Sequence, residues 1–120
     1  MADNKRESGS RAEDYAEAFL RNLGYVIIKR NFQFGKVGEL DIVCCDGQTL
    51  VFVEVKARSN NEFGRPEDSI NERKRAQIRR LAKAYLYVNG ILDVECRYDV
   101  IAIEYNNGVA TVRHWISAFM

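Results

Sequence analysis

The stretch Gly38-Glu39-Leu40-Asp41-Ile42-Val43-Cys44-Cys45-Asp46-Gly47-Gln48-Thr49-Leu50-Val51-Phe52-Val53-Glu54-Val55-Lys56 decides the fold of this chain. It reads as two runs rich in β-branched residues around Asp46-Gly47, a strong hairpin signal. Strands are expected over residues 37–45 and 50–57, antiparallel and adjacent. Glu39, Asp41, Glu54 and Lys56 interrupt these otherwise apolar runs. Unpaired charge inside a buried strand is costly enough that folding alone would not select it, so function is the expected cause.

Strand alternation sharpens this expectation. Glu39, Asp41, Val43 and Cys45 should share one face of the first strand, and Phe52, Glu54 and Lys56 one face of the second. A hairpin loop of two or four residues then puts all four charged groups on a single face. A four-residue loop, residues 46–49, sets Asp41 across from Glu54 and Glu39 across from Lys56. A two-residue loop sets Glu39 opposite Glu54, and only an odd loop or a bulge would scatter the group.

Working outward, Ala12, Tyr15, Ala16, Phe19, Leu20 and Leu23 recur at helical spacing, with Ser10 as N-cap and Gly24 as stop. Residues 1–9 are polar and read as a disordered lead-in, leaving residues 10–120 as a single domain. Residues 25–34 form a strand pattern before the hairpin. Residues 59–68 carry Asn-Asn, Gly64 and the only proline, Pro66, and read as a loop. A long helix over residues 70–89 shows the stripe Ile78, Leu81, Ala82, Tyr85 and Leu86, and strands follow over 94–105 and 109–115 around Asn106-Asn107-Gly108. The order αβββαββ implies an α/β domain with a central mixed sheet flanked by helices.

Composition narrows the class without naming a partner. The 120 residues are 47% hydrophobic and carry a formal charge of +1, so one core is affordable and any nucleic-acid surface must be local rather than global. Three cysteines, Cys44, Cys45 and Cys96, have no paired zinc spacing and suit a reducing, cytoplasmic setting. No apolar run approaches a membrane span, and the polar N-terminus has no signal-peptide core.

Two carboxylates brought close repel, and the natural compensation is a hard divalent cation, Mg²⁺ or Mn²⁺, held by oxygen ligands. Such a site beside a lysine describes a phosphodiester hydrolase, with Lys56 orienting or deprotonating water or stabilising the transition state. Exposed cross-strand ion pairing is the plain alternative for any one of these residues. The pattern Asp41-x(12)-Glu54-x-Lys56 resembles the PD-(D/E)XK nuclease signature. With Gly38-Glu39-Leu40-Asp41 and Phe52-Val53-Glu54-Val55-Lys56-Ala57-Arg58 it further resembles the YraN-like family of predicted bacterial endonucleases, which is similar to archaeal Holliday junction resolvases. Ala12-Glu13, Ala16 to Leu20, Asn31, Phe63-Gly64-x-Pro66, Lys74 and Tyr98-Asp99-Val100 extend the resemblance over nearly the whole chain. Leu40 departs from the signature's proline, and Ala12 stands where the related pattern often has glycine.

The resemblance implies a restriction-endonuclease-like αβββαβ core and metal-dependent cleavage of DNA, branched DNA included. Asp41, Glu54 and Lys56 would be catalytic, with Asp41, Glu54, Glu39 and Glu13 around the metal. Glu13 also completes Ser10-x-x-Glu13, a capping box in its own right. Lys74 and Gln77 extend the apolar stripe of the second helix toward the sheet. With Arg58, Arg65, Arg73 and Arg80 they form a candidate surface for the phosphate backbone. Asp99 reads as a strand-end acid or one standing behind the metal ligands, with direct metal binding the lesser reading, and His114 as a packed or surface residue with no nucleophile or ligand partner at useful spacing. A symmetric cut would call for a homodimer. The competing reading is a nucleic-acid-binding or protein-interaction module that keeps the fold without turnover.

Overall fold

The computed structural model describes residues 3–59 and 64–120, with side chains from Gly9 onward. The elements run α1 (Asp3–Asn22), β1 (Val26–Phe34), β2 (Gly38–Asp46), β3 (Thr49–Arg58), a 3₁₀ turn (Pro66–Ser69), α2 (Glu72–Val88), β4 (Cys96–Asn106) and β5 (Val109–Phe119). The expected α/β order is therefore present. One mixed sheet has the strand order β1-β2-β3-β4-β5, with β3 and β4 parallel and every other pair antiparallel. The parallel pair follows from the crossover through α2.

The helices cover opposite faces. Ala12, Ala16 and Leu20 of α1, four residues apart, pack on Ile42, Cys44, Val51, Val53, Ile101 and Ile103. Ile78, Leu81, Ala82 and Tyr85 of α2 pack on Leu40, Val43, Phe52 and Val100. The Asn71 side chain caps α2 by accepting the Lys74 N–H at 3.0 Å, which moves its start two residues beyond Ile70. The segment expected to be a loop contains the 3₁₀ turn, while Phe63 lies outside the described residues.

Two expectations need correction. Helix α1 starts at Asp3, not after Ser10, so Ser10 lies inside the helix and Ser10-x-x-Glu13 is no capping box. A lone Gly9 costs a helix only about 1 kcal/mol and does not end it. The second concerns alternation. The hairpin closes on Asp46↔Thr49 with Gly47-Gln48 as its two-residue loop, and Gly47 has φ +60, the left-handed value such a tight turn requires. Because this loop begins one residue after Asp46, it gives the register expected of the longer loop, in which Asp41 faces Glu54.

Alternation nevertheless breaks at Asp41. Ile42 and Cys44 face α1, but Leu40 packs on the α2 side with Val43. On β1 the same switch occurs between Arg30, which reaches α1, and Phe32, which stacks edge-on to Tyr85 of α2. The pairs Arg30↔Ile42 and Phe32↔Leu40 flank the switch, and between them Asn31 has φ +56. One left-handed residue rotates the following pleat by half a period. Glu39 consequently turns toward α1, and the four charged groups do not share one face.

Candidate active site

The β2–β3 ladder ends at Ile42↔Val53. Beyond it, Gly38–Leu40 stays paired to β1 while Glu54–Arg58 stays paired to β4, so the sheet forks. Asp41 sits in the crotch, where its Oδ2 accepts the Val55 N–H at 2.8 Å, a donor that the parted strand no longer satisfies. The fork opens into a cleft of about 1040 Å³ reached from both faces of the sheet. Four acids (Glu13, Glu39, Asp41, Glu54) and four cationic residues (Arg11, Lys56, Arg58, Lys74) line it. The fork therefore gathers the charges that a single strand face does not.

Each element contributes in its own way. Glu54 is 4% exposed and stands on the α2 side, 3.6 Å from the Lys74 ammonium. Lys56, two residues on, is half-buried in the same cleft. Glu13 of α1 and Glu39 of β2 both accept from the Asn31 side-chain nitrogen, at 2.7 and 2.9 Å. Gln77 donates to the Val37 carbonyl at 2.6 Å and so fastens α2 to the turn before β2. That contact explains Gly38, whose φ is +135 and where any Cβ would collide with the Gln77 amide.

The electrostatics follow from burial. Desolvation, then the Glu54 carboxylate, push the Asp41 carboxyl up from 3.8 to about 8, against the pull of the Val55 N–H. Burial likewise raises Glu13, although the Asn31 hydrogen bond opposes it. A carboxyl pair that retains a proton near neutrality is short of positive charge. Its hard oxygens fit Mg²⁺ or Mn²⁺. Among the described residues no group of three or more His, Cys, Asp or Glu is gathered as ready ligands. Two carboxylates with water and phosphate oxygens filling the other positions is a common arrangement for Mg²⁺.

Of the expected phosphate contacts, Arg58, Lys74 and Gln77 line the cleft, while Arg73 and Arg80 are exposed elsewhere on α2. Arg65 pairs with Asp68 at 3.4 Å beside a separate, smaller hollow. Arg11 and Tyr105 line the cleft without having stood out in the sequence. Tyr105 arrives only through the β3–β4 register, which no local pattern announces.

A second polar cluster lies outside the cleft. Asp99 is fully buried, clamped by Arg97 at 2.9 and 3.0 Å, by His114 at 2.8 Å and by the Ser117 N–H at 3.0 Å. Burial would raise its carboxyl, but the bonds to His114, Arg97 and Ser117 together hold it below its ordinary value. Arg97 also reaches Asp46 and the Tyr25 hydroxyl. His114 thus has a partner that its sequence neighbours did not reveal, and the cluster ties β2, β4 and β5 to Tyr25, the residue before β1.

A family model described as "Uncharacterised protein family UPF0102" matches residues 12–103, a span holding every acid and cation of the cleft except Arg11. A UPF0102 protein of Carboxydothermus hydrogenoformans is 41% identical over 112 residues, covering 93% of this chain and 94% of the relative. One from Natranaerobius thermophilus is 41% identical over 118 residues, 97% and 99% of the two chains. One from Geobacter sulfurreducens reaches 50% over 95 residues, 79% and 73% of the two chains.

Proposed function

Because the chain belongs to the UPF0102 family, whose description names no activity, its chemistry must be read from the cleft, and we propose a metal-dependent endonuclease that hydrolyses DNA phosphodiesters, branched DNA included. The carrying observation is the Asp41–Glu54 carboxyl pair at the fork with Lys56 beside it. Asp41 and Glu54 would hold Mg²⁺ or Mn²⁺, with Glu39 and Glu13 assisting from the α1 side. Bound there, the ion supplies an acidified water and neutralises charge on the phosphate. Lys56 donates to a phosphate oxygen or orients the attacking water, stabilising charge that develops in the transition state. Arg58 and Lys74 hold the flanking backbone, giving affinity without sequence choice. A homodimer would bring two clefts to a symmetric junction, and the three free cysteines suit a cytoplasmic enzyme.

The test incubates linear, flapped and four-way-junction DNA with Mg²⁺ or Mn²⁺, using wild type, Asp41→Ala and Lys56→Ala. Wild type is expected to cut at least one substrate, and Lys56→Ala to slow cutting by about 10²-fold or more. No cleavage by any protein, or undiminished cleavage by both variants, removes the catalytic assignment. DNA binding without turnover would then favour the non-catalytic module.

A further inference from the structure

The residue that brings Glu13 and Glu39 together is neither of them. Asn31 donates both hydrogens of one amide, to Glu13 Oε1 at 2.7 Å and to Glu39 Oε1 at 2.9 Å, and so joins an acid of α1 to an acid of β2. Its backbone, at φ +56, is also the point where the β1 and β2 pleats switch faces, turning Glu39 toward α1.

These two demands select asparagine. A left-handed backbone favours glycine, asparagine and aspartate over other residues. Of these three, only asparagine offers a neutral head with two donors. Aspartate would add a third carboxylate to a place that already holds two, and would have no hydrogens to donate to them. Glycine would keep the turn and lose the clasp. Arg30 stands 3.6 Å from Glu13 but is shared with Asp14, at 2.6 Å, and with Glu17, so its charge is spread along α1. The convergence of the two glutamates thus depends on the Asn31 amide.

We infer that Asn31 is a positioning residue: its amide and its left-handed backbone aim Glu13 and Glu39 into the fork as a second carboxylate pair beside Asp41 and Glu54. The inference rests on the metal-dependent reading above. Its role is to set the geometry of ligands that reach the ion directly or through water, as partners behind ligands do in many metal centres.

The experiment titrates Mn²⁺ into the full chain by calorimetry and measures DNA cleavage across the same Mn²⁺ range, for wild type and Asn31→Gly. Glycine adopts the same φ without strain, so the melting temperature in chelator should stay within a few degrees of wild type. The Mn²⁺ needed for half-saturation should rise about tenfold or more, in binding and in cleavage alike. A purely structural role is separated by repeating the substitution in a Glu13→Gln, Glu39→Gln background, where Asn31→Gly should add no further change. Unchanged Mn²⁺ dependence in Asn31→Gly, or the same loss in both backgrounds, overturns the inference while the nuclease reading stands. A wild-type protein that neither binds Mn²⁺ nor cuts DNA overturns both.

Discussion

Asp41 stands where β2 and β3 part, with one oxygen committed to the Val55 N–H and its charge opposed by Glu54. Its folded-state pKa, about 8 against an ordinary 3.8, means that the native protein keeps a proton the unfolded chain has released. The stability from that proton is full below about pH 4 and is lost as pH rises through 8. Asn at this position would still accept from Val55 and would donate to Glu54 without ionising. In chelator, Asp41→Asn should therefore melt above wild type at pH 8.5, by on the order of 5 °C, with a smaller gap at pH 6. The variant should also lose the stabilisation that Mn²⁺ gives wild type. A gap that does not grow with pH would contradict the buried-pair account.

At the scale of elements, regular patterns were legible and their interruptions were not. The α2 stripe Ile78, Leu81, Ala82 and Tyr85 reads directly from the sequence because each residue repeats a helical period against the sheet. Asp41, Glu54 and Lys56 were legible for the opposite reason, as charges where the period demanded apolar residues. Glu39 leaves the face that alternation predicts because the half-period switch is carried by the backbone angle of Asn31 on another strand. His114 and Asp99 are fifteen residues apart and meet only through β4–β5 pairing, so their bond had no local signature. Helix α1 starts ahead of Ser10 because helix propensity bridges one glycine, Gly9. Gly38 tests how the elements are fastened together. Gly38→Ala places a Cβ at φ +135 against the Gln77 amide that holds the Val37 carbonyl. It should cost about 1–3 kcal/mol in urea unfolding, and a neutral result would mean that α2 is not anchored there.

Across the whole molecule, a net charge of +1 conceals a cleft where four cationic side chains surround four acids. Affinity for DNA should accordingly depend on which cations border the fork rather than on overall charge. If all four contact phosphates of duplex DNA, log affinity should fall with log salt at a slope of about −3.6. Arg58→Ala and Lys74→Ala should each make that slope shallower by about 0.9. Arg73→Ala and Arg80→Ala, outside the cleft, should leave it unchanged. Equal effects from all four substitutions would move the DNA path onto the outer face of α2. The apolar stripes of α1 and α2 are accounted for by the sheet they cover, and no described helix is long and apolar enough to cross a membrane.

The parting of the strands also gives the protein a reporter atom. The Val55 amide hydrogen has left the β2 ladder and is shielded by a single carboxyl oxygen, that of Asp41. Its exchange with deuterated water should therefore be governed by local opening at the fork rather than by unfolding of the sheet. In Asp41→Ala that amide should exchange much faster, while the amide of Val51, inside the paired region, keeps its wild-type rate. A hydrogen-exchange measurement at one backbone position would then follow the state of the acid pair without any substrate present.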